Sequence, residues 1–159
     1  MPLTPAPRVL NLLLPLIALM GGLAIDSLGL SGHPVDIGTD WAPVALRAPL
    51  TAQTGNPRLL VYLRELEALG IARRRVVEDL PRVLPPGSLS AIAYDRDGRA
   101  WPLQHTGYSF YRGMPGLVLE LDDVPRGSTF FRLDVRASRP LDGVLMVWLD
   151  SLGAARPEP

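Results

Sequence analysis

GLVLELD (116–122), STFFRLDVRA (128–137) and GVLMVWLD (143–150) carry the clearest periodicity in this chain and assign it a class. Successive side chains of a strand point to opposite faces, so a half-buried strand alternates apolar and polar residues. Leu117, Leu119 and Leu121 alternate with Val118 and Glu120, and Phe131, Leu133 and Val135 alternate with Arg132, Asp134 and Arg136. In the third run Leu145, Val147 and Leu149 share one face and Val144, Met146 and Trp148 the other. A strand apolar on both faces belongs inside a sheet or under a helix.

Upstream, SLSAIAYD (88–95), RAWPLQ (99–104) and YSFYR (108–112) keep the same period. Asp97-Gly98 lies between the first two as an expected hairpin turn, and DDVPRG (122–127) and SRPLDG (138–143) supply further turns. Strands and turns in this rhythm predict a mainly β fold, an antiparallel β-sandwich or a partly open barrel. No internal repeat is visible.

Before Ser88 the period changes to 3.6. Asn56-Pro57 reads as an N-cap followed by proline at the first helical position, and Gly70 as a stop. Between them Leu59, Leu63, Leu66 and Leu69, with Leu60 and Tyr62, would share one face, opposite Arg58, Arg64 and Glu65. This spacing predicts one amphipathic helix of about three and a half turns. Arg73 to Leu80 reads as a second short helix or an irregular link before Pro81, Pro85 and Pro86. Gly32 to Gln53 contains Pro34, Pro43 and Pro49 and has little periodicity, so residues 31–54 read as an extended linker. Residues 55–152 then form the domain, and 153–159 a disordered tail.

Residues 9–25 (VLNLLLPLIALMGGLAI) hold one uncharged polar residue, Asn11, and no ionisable one. As a helix this run would be roughly 25 Å long, close to a hydrocarbon core of about 30 Å. Continuation to Leu30 brings Asp26 to headgroup level or against a partner protein. Residues 9–30 are therefore expected to be a single transmembrane anchor. Pro15, Gly21 and Gly22 would be its contact region with another helix, because small residues allow close approach. Arg8 precedes the run and the next basic residue is Arg47. That asymmetry places residues 1–8 in the cytoplasm and the domain on the periplasmic side of a bacterial inner membrane. A cleaved signal peptide is the competing reading, with Gly22 and Ala24 as small residues before Ile25. Trp41 would anchor at the membrane interface or pack against the domain edge.

The 159 residues include no cysteine, so an ordinary apolar core must hold the domain. All 16 basic residues are arginine and are balanced by 16 acidic ones, which gives no global field towards nucleic acid. His33 and His105 show no metal-ligand spacing. Asp95-Arg96-Asp97-Gly98 resembles a calcium-loop fragment, but Ala100, Trp101 and Pro102 follow where further ligands would be needed, so it reads as a turn. There is no thiol, no G-x-S-x-G elbow and no lysine for a phosphate loop. No catalytic site, cofactor or metal is expected.

Two groups remain as partner or ligand surfaces. Arg73, Arg74 and Arg75 would meet lipid phosphates or an acidic surface, or form a solvated helix end. Trp101, Tyr108 and Tyr111 would contact a sugar or a partner protein, or fill the core together with Phe110. The expectation is a non-catalytic accessory subunit that braces integral membrane protein subunits of a respiratory, photosynthetic or transport complex. Its partners would be those subunits and the lipid bilayer. The alternative is a membrane-anchored module that binds glycan or a small ligand around Trp101 and Tyr111.

Overall fold

The computed structural model describes residues 30–53, 55–111 and 114–150. The expected anchor up to residue 29, with Pro15, Gly21 and Gly22, lies outside the described residues, as does the tail from 151 onward. Among the described residues no helix is long and apolar enough to cross a membrane.

Among the described residues ten strands occur in chain order: β1 (Val35–Ile37), β2 (Ala42–Pro43), β3 (Leu50–Ala52), β4 (Arg58–Leu63), β5 (Leu89–Asp95), β6 (Ala100–Pro102), β7 (Gln104–Tyr111), β8 (Met114–Glu120), β9 (Ser128–Ala137) and β10 (Leu141–Leu149). Among the described residues one α-helix, α1 (Val76–Val83), is present and precedes β5. The first sheet runs β1-β10-β4-β8-β7. The second runs β2-β9-β5-β6, with β3 also paired to β9. Every pairing is antiparallel. The fold is thus mainly β, with two antiparallel sheets and little helix.

The alternation in the last three runs places their apolar faces as expected except at Phe131, which is exposed while Phe130 is buried in its place, where the β5–β9 register shifts between Tyr94 and Asp95. Leu117 and Leu119 of β8, Val144 and Met146 of β10, and Leu133 and Val135 of β9 all lie in one core. Leu59, Val61 and Leu63 join them from β4, and Ala91, Ala93 and Phe130 from the second sheet. The Phe130 ring meets Trp101 and Trp148 edge-on, with centroids 6.3 and 6.0 Å away. Trp148 also bridges the sheets, because its Nε1 donates to the Thr51 carbonyl at 2.7 Å.

The amphipathic helix expected over Asn56 to Leu69 is not present. Arg58–Leu63 is a strand bonded on both edges, Leu60 standing opposite Val147 of β10 and Val118 of β8. Positions 59–63 are apolar without interruption, a run that satisfies a helical face and a two-faced buried strand equally well. Neighbours on both edges, together with Val61 and Tyr62, favour the strand. Asn56 caps no helix, and its side-chain amide reaches Glu120 and Asp122 instead. Only Arg64–Leu69 is helical, as a 3-10 turn that Gly70 ends in the left-handed conformation at φ 59°. Among the described residues the α-helix lies later, at α1, although Pro81 removes one of its hydrogen bonds.

The expected linker is likewise part of the fold. β1 pairs with β10, while β2 and β3 complete the free side of β9. Prolines keep these pieces short: Pro34 and Pro49 immediately precede two of them, and Pro43 sits on an edge strand, where its missing N–H breaks no interior ladder. Asp150 secures β3 by accepting from the Thr51 hydroxyl and the Gln53 amide, each at 2.8 Å. The chain crosses from the second sheet to the first at Leu103, whose amide donates to the Ala91 carbonyl at 2.9 Å. α1 packs beside β7, with Val76, Leu80 and Leu84 buried in the core.

Candidate functional site

The residues singled out from sequence fall in separate places. Arg73–Arg75 form a 3-10 turn leading into α1. Arg75 is paired with Asp79 at 3.1 Å and Arg82 approaches the same carboxylate at 4.0 Å, so part of the basic patch is neutralised locally. Trp41 precedes β2 at the second sheet, and the Arg136 guanidinium lies 4.7 Å from its ring centroid. Trp101 is on β6, at the edge of the second sheet, whereas Tyr108 and Tyr111 are on β7, at the edge of the first. Trp101 has Phe130 at its edge and the Arg99 guanidinium 4.3 Å from its centroid. Tyr108 packs on the core, with its hydroxyl donating to the Leu84 carbonyl at 3.0 Å. Tyr111 ends β7 opposite Met114.

The Asp95-Arg96-Asp97-Gly98 segment is a hairpin turn between β5 and β6. Gly98 has φ 77° and donates its amide to the Asp95 carbonyl at 3.1 Å. The Asp95 carboxylate accepts from the Trp101 indole at 3.2 Å and from the amides of Asp97 and Arg99 at 3.0 and 2.9 Å. The Trp101 bond, helped by those amides and the Arg99 charge, holds its pKa below the ordinary value against a partial desolvation penalty. His105 stacks edge-on against Tyr108 at 4.9 Å, and its buried Nε2 has no hydrogen-bond partner. Burial lowers its pKa, with a backbone bond to Gly107 opposing. Among the described residues no three His, Cys, Asp or Glu side chains converge as a metal site.

The outer faces of the two sheets differ in chemistry. On the first sheet, Tyr62, Met114 and Leu145 form an apolar cluster outside the main core, with Leu60 and Val147 packed against it. Tyr62 stands opposite Leu145 and Gly116, and its hydroxyl lies 3.3 Å from the Ser109 hydroxyl. One end of the face closes with the Arg58–Glu120 ion pair at 3.1 Å. Leu30 joins this sheet, its amide donating to the Met146 carbonyl of β10 at 2.9 Å.

Arginine and aromatic residues alternate on and beside the second sheet. Arg132 grips the nearly buried Asp134 carboxylate with two bonds of 2.6 Å and lies over Tyr94 at 5.1 Å. Arg96 lies over Phe131 at 5.5 Å. These partners, with Arg99 and Arg136, were missed by sequence reasoning. The two-residue spacing of Arg132, Asp134 and Arg136 signals a common face, but the register that sets Tyr94 opposite Arg132 and Ser90 opposite Arg136 comes only from pairing β5 with β9.

No family model matches the chain, and comparison with curated proteins and with solved structures likewise finds no match.

Proposed function

We propose that this protein is a non-catalytic accessory subunit. An N-terminal membrane helix tethers a β-sandwich domain to an integral membrane protein complex, which the domain braces on the periplasmic face. The observation that carries this reading is the apolar outer face of the first sheet, which Leu30 joins. The outer face of an antiparallel sheet is ordinarily polar, yet β4 and β10 are apolar on both faces, and on the outer one Tyr62, Met114 and Leu145 are buried while Leu60 and Val147 are half-buried. Leu60, Tyr62, Leu145 and Val147 gather there, and the Leu30–Met146 bond brings the chain following the apolar run 9–25 onto the same sheet. A tether attached at that sheet raises the effective concentration of its outer face near a membrane-embedded partner. The matching surface is an apolar extramembrane patch on an integral membrane subunit, with a polar rim able to meet Arg58 and Glu120.

The test uses the full chain, extracted in mild detergent, with a photo-crosslinker at Leu60 or Val147. We expect migration in a larger assembly and a crosslink to an integral membrane polypeptide. A crosslinker on the exposed Val77 of α1 should give none. Release of the protein from membranes by alkaline carbonate, or migration as a lone monomer without a crosslink, would overturn the proposal.

A further inference from the structure

We infer that a polar depression at the end of the second sheet binds the anionic end of an organic ligand, a carboxylate, phosphate or sulfate. The depression holds about 260 Å³ and is lined by Thr39, Gly87, Ser90, Arg136, Ala137 and Ser138. It combines one guanidinium with three hydroxyls and has no carboxylate in its lining. That donor set suits an oxyanion, because a guanidinium fork matches two oxygens and hydroxyls can donate to the rest.

Arg136, like Arg96 and Arg99, lies over an aromatic ring, and of these three it alone lines the depression. Arg58, Arg75, Arg82, Arg132 and Arg139 are each within 4.0 Å of a carboxylate. Among the described residues Arg136 has no such partner and rests on the Trp41 ring instead. Stacking fixes the plane of a guanidinium while leaving its N–H edge available to an acceptor. Ser90 stands opposite Arg136 in the β5–β9 register, so these two donors are aligned by the sheet itself. Among the described residues the hydroxyls of Thr39, Ser90 and Ser138 form no hydrogen bond.

The walls are set by backbone bonds. The Ala137 amide donates to the Gly38 carbonyl and the Ser138 amide to the Ser88 carbonyl, both at 2.9 Å. Gly87, at φ 89°, would place even an added Cβ in open space, so the side it lines is unobstructed. The volume falls just below the roughly 300–1,000 Å³ of drug-sized pockets. It therefore takes one charged end group, while the body of the ligand extends over Trp41, which is 40% exposed. This site lies on the other sheet from the proposed docking face and does not depend on it.

The full chain in mild detergent would be titrated with inorganic phosphate, glucuronate, a glucuronate oligomer and glucose, following the Trp41 indole resonance by NMR. Saturable binding of phosphate or glucuronate is expected, with no response to glucose. Arg136→Gln should weaken binding about tenfold or more while leaving the thermal midpoint unchanged. The Ser90→Ala/Ser138→Ala double variant should weaken it without altering charge, which keeps the test decisive if Arg136→Gln folds poorly. Tighter binding of the oligomer than of the monomer would assign an acidic glycan as the source, and equal binding a free small acid or ester. Absence of a saturable response to every anion, or affinity unchanged in both variants, would overturn the inference.

Discussion

Tyr62 lies so close over Gly116 of the neighbouring strand that no side chain fits between them. A Cβ on Gly116 would fall 2.5 Å from the Val61 carbonyl oxygen and 2.7 Å from Tyr62 Cδ1. Because one obstacle is backbone, the strand must move to admit a methyl group. Gly116→Ala should destabilise the fold by about 1–3 kcal/mol. Gly38→Ala, where an added Cβ meets nothing within 4 Å, should stay within about 0.5 kcal/mol. Urea denaturation of both variants checks the contrast, and equal midpoints would refute it.

Leu59 and Leu69 would share one face of a helix, but the strand separates them. Leu59 is fully buried between the sheets, whereas Leu69 is 55% exposed at the end of the 3-10 turn. Leu59→Ala should therefore destabilise by about 2–5 kcal/mol through the cavity it leaves. Leu69→Ala should change stability by no more than about 0.5 kcal/mol. Comparable losses at the two positions would favour the helix instead.

His105 gives the domain an acid-sensitive point. Its pKa is lowered in the folded chain from the ordinary 6.5 by burial, so the unfolded chain binds the proton more readily. Stability should accordingly be full above the unfolded value and fall as pH drops below about 6.5. His105→Gln should flatten this portion of the profile. Thermal midpoints recorded from pH 8 to pH 5 provide the measurement, and an identical slope in the variant would exclude His105 as its source.

Asp95 acts in the opposite pH range. Its lowered pKa means that the folded chain keeps the carboxylate charged where the unfolded chain would protonate it. The stabilisation is present above the unfolded value, near 3.8, and is lost as pH falls through the folded one. Asp95→Ala removes the acceptor shared by Asp97, Arg99 and Trp101 at every pH. Amide exchange at Asp97 and Arg99 should then accelerate, with the rest of β5 still protected. Unchanged exchange at those two amides would show that the turn stands without the carboxylate.

Arg132 and Asp134 are adjacent on one face of β9, and the Asp134 side chain is only 5% exposed. Arg132→Ala removes both bonds to a nearly buried carboxylate, so the thermal midpoint should fall at neutral pH. A midpoint equal to that of the parent chain at neutral pH would mean that water replaces the guanidinium without penalty.

Most strands from 88 to 149 were legible because they alternate or lie between unmistakable turn residues, but RAWPLQ, read as one run, divides at Leu103 into β6 and the start of β7. STFFRLDVRA coincides with β9, and Asp97-Gly98 forms the hairpin that its residues imply. Arg58–Leu63 was not legible, since five consecutive apolar residues fit two periods at once. Residues 35–52 were hidden for another reason: strands of two or three residues are too short to display a period, and their order comes from β9 and β10. The expected aromatic surface also separated, because β6 and β7 diverge into different sheets at Leu103.

Local chemistry thus established the β class, the turn at Asp97-Gly98 and the apolar character of residues 9–25. Strand partners, the two-faced burial of β4, and the meeting of Arg136 with Ser90 and Trp41 depended on the folded arrangement. The physical reason is that alternation within a segment records which of its faces is apolar. Hydrogen-bond partners and cross-strand neighbours belong to pairs of segments, and they become defined only when two sheets close over a common core.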